Sequence, residues 1–277
     1  MSAEPPSPWS DWSGHALVVG GGGIGRALLP ELAARAPGLQ LWCSQRRPLV
    51  DGVATTAVGD ATTAGGDATT AGEATPGPTE RSIRSLSLDV SDDDSLEQLR
   101  QLAQDQLSPL RLVIYTAGLL QAGAMTPEKR LSQVNRRDLE RSFSVNAWGP
   151  LLVAQALEAA LPRDQPAQFA SLSARVGSIG DNRLGGWYAY RAAKAAQNQL
   201  LTTLAIEWRR CLPKMCVTLL HPGTTATALS APFRSGVAAL QLFSPERAAR
   251  QLLDVLERQS PAASGRFLAW DGAEIPW

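Results

Sequence analysis

Two side chains able to pass a proton stand four residues apart in YAYRAAK, residues 188–194. The chain has only three tyrosines and three lysines, so their meeting here asks for a chemical reading. A helix turns by about 100° per residue, which puts positions four apart about 40° apart around the axis. Tyr190 and Lys194 therefore share a face, while Tyr188, six before the lysine, points elsewhere as a packing or pocket residue. A phenol with a pKa near ~10 exchanges protons poorly at neutral pH. A neighbouring ammonium group favours the phenolate and lowers that value, which suits general acid/base chemistry.

Such a pair needs a frame, and the chain supplies an alternation of apolar runs and helical periodicities. HALVVG (15–20), LQLWCS (39–44), RSIRSLSLDV (81–90), RLVIYTAG (111–118), QFASLSA (168–174), MCVTLLHPG (215–223) and GRFLAWDG (265–272) read as strands. Helical spacing runs through 24–36, 91–104, 138–161, 188–210 and 244–259. The second of these helices opens with Ser91 as N-cap and acids in its first turn. The pattern predicts an α/β fold: a Rossmann-type, doubly wound three-layer sandwich, with about seven parallel strands and helices on both faces. One domain can span residues 1–277. Residues 51–80 hold almost no large apolar side chains and repeat GDATTAG at 59–65 and 66–72. That composition cannot offset the entropy of ordering, and it reads as a flexible surface insertion between the second and third strands.

Composition narrows the class. A formal charge of zero gives no electrostatic case for nucleic acid or a membrane surface. No apolar run approaches the ~20 residues of a membrane span, and MSAEPPSPWSDWSG lacks the order of a signal peptide. Cys43, Cys211 and Cys216 are too few and too irregular for a disulfide framework or a zinc site. No metal is expected, and a cytoplasmic location is.

At the end of the first strand, Gly20, Gly22 and Gly25 satisfy G-x-G-x-x-G, with Gly23 and Ile24 between them. After a strand and before a helix, that spacing either makes an ordinary tight turn or lets a pyrophosphate approach the helix N-terminus, as in dinucleotide binding. The second strand ends in CSQRR (43–47), with no acid before Asp51. A carboxylate for ribose hydroxyls is missing there. Arg46 and Arg47, with Ser44 as a hydroxyl donor, could grip a 2′-phosphate, which favours NADP(H) over NAD(H).

Together GGGGIG, LDV at 88–90, YTAG at 115–118, Asn146, SLSARVGSIG, YRAAK and HPGTTAT resemble the short-chain dehydrogenase/reductases over roughly residues 14–275, apart from the insertion. GGWYAYRAAK, HPGTTAT and the terminal DGAEIPW are most similar to the C-factor and sniffer-type carbonyl reductase branch. The resemblance implies that Tyr190 is the general acid and that Lys194 lowers its pKa and holds the nicotinamide ribose. It also implies that Asn146 holds a water linking the lysine to solvent. From the residues alone, Asn146 is equally a kink residue before Gly149-Pro150. The family's two adjacent serines appear here as Ser173-Ala174, leaving Ser173, or else Ser178, to orient the substrate oxygen. Its N-N-A-G appears as Tyr115, Thr116, Ala117 and Gly118, and its glycine turn is one residue shorter here.

Further cofactor contacts carried over are Asp89 and Val90 beside the adenine, and Pro222, Gly223, Thr225 and Thr227 beside the carboxamide. Asp89 also reads as a helix N-terminal acid. Residues 228–243 would form a lid. Phe233, Leu242 and Trp187 read as an apolar substrate pocket or as core. The implied activity is NADP(H)-dependent reduction of an aldehyde, ketone or quinone to an alcohol, or the reverse, on a small molecule, in a possible homo-oligomer. The alternative is a nucleotide-binding signalling or regulatory protein with little turnover.

Overall fold

The computed structural model describes residues 6–46, 83–231, 233, 238 and 241–277. The expected insertion at 51–80, Arg47 and most of 232–240 lie outside the described residues.

Seven parallel strands form one sheet. They are β1 (Gly14–Val19), β2 (Leu39–Gln45), β3 (Arg84–Ser87), β4 (Leu110–Tyr115), β5 (Ala167–Leu172), β6 (Met215–His221) and β9 (Arg266–Ala269), in the order β3-β2-β1-β4-β5-β6-β9. A short pair, β7 (Thr224–Thr225) and β8 (Leu242–Phe243), stands apart from it. The near-continuous apolar runs of β1, β4 and β6 follow from burial on both faces. On one face α1 (Gly23–Arg35) and α6 (Pro245–Glu257) contribute Leu28, Leu32, Leu252 and Leu256 to a core layer. On the other, α2 (Asp93–Gln106), α4 (Gly149–Leu157) and α5 (Tyr188–Cys211) contribute Leu99, Val153, Leu157, Leu201 and Trp208. The Rossmann-type sandwich read from the alternation is the fold of this chain.

Register aligns the strand ends. Val19 pairs with Ser44 on one side and Tyr115 on the other, Tyr115 pairs with Ser171, and Ser171 with Leu219. One sheet edge thus collects the residues that leave all five strands. The strand order reverses between β1 and β4, the switch point where open α/β sheets bind ligands.

Two local details depart from the sequence reading. The N-cap of α2 is Asp92, whose carboxylate accepts from Ser95 N at 2.8 Å, and not Ser91. Ser91 instead donates its hydroxyl and its N–H to Asp89. The expected helix over 138–161 is broken into α3 (Arg136–Phe143), a π turn at Ser144–Trp148 and α4. Pro150 explains the break, since it has no N–H to continue either an α or a π ladder.

Candidate active site

The glycine turn is built by close approach. Gly20 has φ 106°, a region open to few L-residues, and a Cβ on it would stand 2.8 Å from Ala117 N. A Cβ on Gly25 would fall on the Gly20 carbonyl oxygen and press Thr116 Oγ1 at 2.7 Å. Thr116 donates its hydroxyl to Gly20 O at 2.7 Å, tying the end of β4 to the turn. Ser44 Oγ, buried, accepts from Gly20 N at 3.0 Å. That bond ties the end of β2 to the turn, and Arg46 beyond it is exposed. Gly25→Ala is expected to lower stability by about 1–3 kcal/mol or more through overpacking. Thermal unfolding checks this, and an unchanged Tm would contradict the contact.

The start of α1 has no side-chain cap, and a Cβ at Gly22 would meet nothing within 4 Å. Helix N–H groups facing open space are suited to an anion. The Thr227 methyl approaches from the far side, 2.5 Å from a Cβ built on Gly23. Ile24 packs against the α1–α6 core layer. Ala117 and Gly118 continue from β4, and Gly118 looks across to Leu229 and to Asn146 Oδ1.

Beside the turn lies a cleft of about 530 Å³ whose lining includes Arg46, Asp89, Leu119 and Trp148. Asp89 is turned to Ser91, accepting from its hydroxyl at 2.6 Å and its N–H at 2.9 Å, and these bonds hold its carboxyl below the usual range. Val90 is buried in the core layer. The uncapped helix start and the open space at Gly22 fit the pyrophosphate of a dinucleotide.

On the other side of the switch point stands α5. Its buried stripe carries Tyr190, Lys194, Gln197, Asn198 and Leu201, and Trp208 packs edge-on against Phe169 of β5 at 5.9 Å. Aromatic pairs of this kind add about 0.5–1.5 kcal/mol beyond burial, which fixes the helix on the sheet. Lys194 Nζ lies 5.7 Å from the Tyr190 ring centroid, so the expected shared face is present, and Tyr188 is 42% exposed. Lys194 is 2% exposed and donates to Leu172 O at 2.7 Å and Gln197 Oε1 at 2.9 Å. An ammonium has three N–H groups, so these bonds occupy two of them. Burial pulls the Lys194 pKa down to about 7. In this cofactor-free chain burial also raises Tyr190 above the ordinary phenol value.

Several supports of this helix are not apparent from local spacing. Trp187, at the N-cap of α5, has φ 50° and ψ 46°, following Gly185 and Gly186, which also have positive φ. Non-glycine residues held there store strain that cluster at functional sites. Buried Glu128 takes the helix start from a loop 61 residues upstream: its main-chain carbonyl accepts from Trp187 N and its carboxylate from Ala189 N. Arg191 donates to the Gly185, Gly186 and Val176 carbonyls, pinning both ends of the preceding loop.

Asn146 sits in the π turn, fully buried. It accepts from Leu119 N at 2.9 Å and donates to Leu119 O at 2.6 Å and Ser142 Oγ at 3.1 Å. The amide thereby fixes the loop leaving β4. Gly149 N donates to Ser144 O, and Tyr115 Oη, at the first position of YTAG, donates to Val145 O at 2.7 Å. That bond satisfies a carbonyl which Pro150 cannot serve. Tyr115 also needs Gly149, where a Cβ would strike its hydroxyl.

Ser173 is buried, and its hydroxyl donates to Asn198 Oδ1 at 2.6 Å. Ser178 Oγ accepts from Asp181 N at 3.1 Å. Ala174 begins the short turn at Arg175–Gly177. Trp187 packs on Phe233 at 4.5 Å and on Tyr190 at 6.3 Å between ring centroids, giving an apolar wall beside the phenol. Leu242 of the short strand β8 pairs with Thr224, and the next residue, Thr225, is buried and donates to Pro222 O. Gly223 has φ 73°. His221 is lowered to about 4, by burial first and by Arg175 second, so it is neutral at ordinary pH. Among the described residues no helix is long and apolar enough to cross a membrane.

A parallel sheet with a glycine turn on one side of its switch point and a buried Tyr–Lys pair on the other is the frame of a nicotinamide-dependent oxidoreductase. The chain belongs to the short-chain dehydrogenase family, whose model matches residues 14–238. It is 36% identical over 148 residues to the C-signal of Myxococcus xanthus, covering 53% of this chain and 83% of that protein. It is 31% identical over 195 residues to the 1-hydroxy-2-glutathionyl-2-methyl-3-butene dehydrogenase of Rhodococcus sp. (strain AD45), covering 69% of this chain and 78% of that one. Its fold is similar to that of an NADPH-bound carbonyl reductase from chicken fatty liver, at 21% identity and TM-score 0.72 over 96% of this chain and 100% of that one. The carbonyl reductase Sniffer of D. melanogaster, at 18% identity, gives the same TM-score and coverage.

Proposed function

We propose that this short-chain oxidoreductase uses NADP(H) to reduce the carbonyl of an aldehyde, ketone or quinone to an alcohol, or runs the reverse, with Tyr190 as general acid/base. The observation that carries the reading is the Tyr190–Lys194 pair. The phenol is buried against an apolar wall, and the ammonium beneath it has two N–H groups engaged by Leu172 and Gln197. The reduced nicotinamide, when bound, supplies the hydride. Tyr190 then gives the carbonyl oxygen its proton, so that hydride plus proton turn C=O into CH–OH. Burial keeps the phenol protonated beforehand, as an acid must be. The remaining N–H of Lys194 is left for the nicotinamide ribose and the phenol; the ammonium returns to the phenolate the proton it has spent and is itself reprotonated from solvent. Asn146 holds the loop after β4 in place, and Gly20, Gly22 and Gly23 receive the pyrophosphate. Trp187, Phe233 and Leu242 favour a carbonyl compound with an apolar body.

Arg46 is assigned the 2′-phosphate. Charged hydrogen bonds are worth about 1.5–3 kcal/mol, so Arg46→Ala is expected to weaken NADPH by roughly 10- to 100-fold and NADH very little. Titration of both nucleotides checks this; equal losses would remove the phosphate role.

The nucleotide-binding protein with little turnover has one observation in its favour. Ala174 stands where the family carries a hydroxyl, and Ser173 gives its proton to Asn198. A substrate oxygen held by Tyr190 alone would be turned over slowly. Following NADPH consumption with aldehydes, ketones and quinones separates the two readings, since only the first yields alcohol.

A further inference from the structure

We propose that Gln197 is a positioning residue for catalysis: it holds the Lys194 ammonium at the foot of Tyr190 through a side-chain relay anchored on β5. The inference rests on the reading of Lys194 given above and adds to it a residue that touches neither substrate nor cofactor.

The relay is closed at both ends. Gln197 Oε1 accepts from Lys194 Nζ at 2.9 Å, and Gln197 Nε2 donates to Ser171 Oγ at 2.6 Å and to Leu172 O at 3.3 Å. Because the amide nitrogen is committed to β5, the oxygen must face the lysine. Gln197 and Ser171 are both 0% exposed, so water does not substitute for either partner. The position is otherwise a place for an apolar side chain, lying on the stripe of α5 that carries Ala193, Leu201 and Leu204. A buried amide there is costly unless every polar atom is paired, as all are here. Ser171, near the end of β5, is in register with Tyr115 and Leu219, so the relay refers the lysine to an interior strand of the sheet.

The acceptor also bears on charge. A hydrogen-bond acceptor facing an ammonium favours the charged form, against the burial that disfavours it. The other groups around Lys194 are limited. Tyr190 and Arg191 precede it on α5, Arg191 being bonded to the Gly185, Gly186 and Val176 carbonyls, while the π turn, α4 and β5 carry no titratable side chain. The Arg175–Gly177 turn carries Arg175, which is paired with Asp181. β6 carries Cys216, raised by burial, and neutral His221. α3 carries Asp138, Glu140 and arginines 136, 137 and 141; Asp138 is bonded to Asn135. None of these is a carboxylate seated on Nζ, which leaves the Gln197 and Leu172 oxygens as its acceptors among the described residues.

The test is kcat/KM against pH for NADPH-dependent carbonyl reduction, with NADPH affinity measured separately by fluorescence. A rate that needs the ammonium falls as pH rises through the lysine pKa. Gln197→Met keeps the volume and removes the acceptor, so the falling limb is expected to move to lower pH by about one unit, with kcat reduced about tenfold. Gln197→Glu sets a carboxylate on the ammonium and is expected to move the same limb to higher pH. A residue that only packs would move neither. If Gln197→Met does not fold, Gln197→Glu decides alone. Limbs unmoved in folded variants overturn the inference. Lys194→Met separates this from failure of the underlying reading: a full rate in that variant would sink the role of the lysine itself, whereas a lost rate beside unmoved Gln197 limbs would sink only the relay.

Discussion

Tyr190→Phe is expected to lower kcat by about a thousandfold while NADPH binds as before. The substitution removes one oxygen. The ring keeps its edge contact with Trp187 and its place over Lys194 Nζ, so the wall of the site and the helix register survive. What disappears is the proton donor, and positioned general acids contribute roughly 10²–10⁴ in rate. Reduction would then have to draw its proton from water in a site walled by aromatic rings. Steady-state turnover with parallel NADPH titration checks both halves. Retained turnover would show that another group is the acid.

Lys194→Met is expected to fail in both measurements: kcat/KM down by about a hundredfold or more, and NADPH weakened as well. The reason lies in the number of bonds the ammonium can make. Two donors are engaged by Leu172 O and Gln197 Oε1, and the proposal gives the third to the cofactor ribose and the phenol. Methionine fills the slot and serves none of them. Arginine is not expected to rescue the loss, because the lysine is 2% exposed and its two acceptors are placed for a compact ammonium, which a planar fork does not reproduce. Normal NADPH affinity in Lys194→Met would remove the ribose contact from the account.

The frame was legible because apolar period and strand length are strong signals in a sheet buried on both faces, and the seven strands fall where the runs lie. The Tyr190–Lys194 pair was legible because spacing within one helix is fixed by geometry. Gln197 carried a readable signal as well: three residues past the lysine, it is a polar side chain on a stripe that continues through Leu201 and Leu204. Glu128 carried none, because its bond to Ala189 crosses 61 residues of chain. The π turn was half legible. Gly149-Pro150 marks a break, but the hydroxyl of Tyr115 that serves the Val145 carbonyl comes from another element. For Tyr190 the sequence shows the neighbouring charge and hides the burial, which raises the pKa in the cofactor-free chain. The bond made by Ser44 was hidden for a related reason. Its place at the end of β2 was clear, but its partner, Gly20 N, belongs to the turn of a neighbouring strand.

The most direct measurement is the stoichiometry of alcohol formed to NADPH consumed, by mass spectrometry and absorbance, across aldehydes, ketones and quinones with apolar bodies. The account expects one alcohol for each NADPH oxidised with at least one of these classes. Firm NADPH binding with no alcohol from any of them would contradict it.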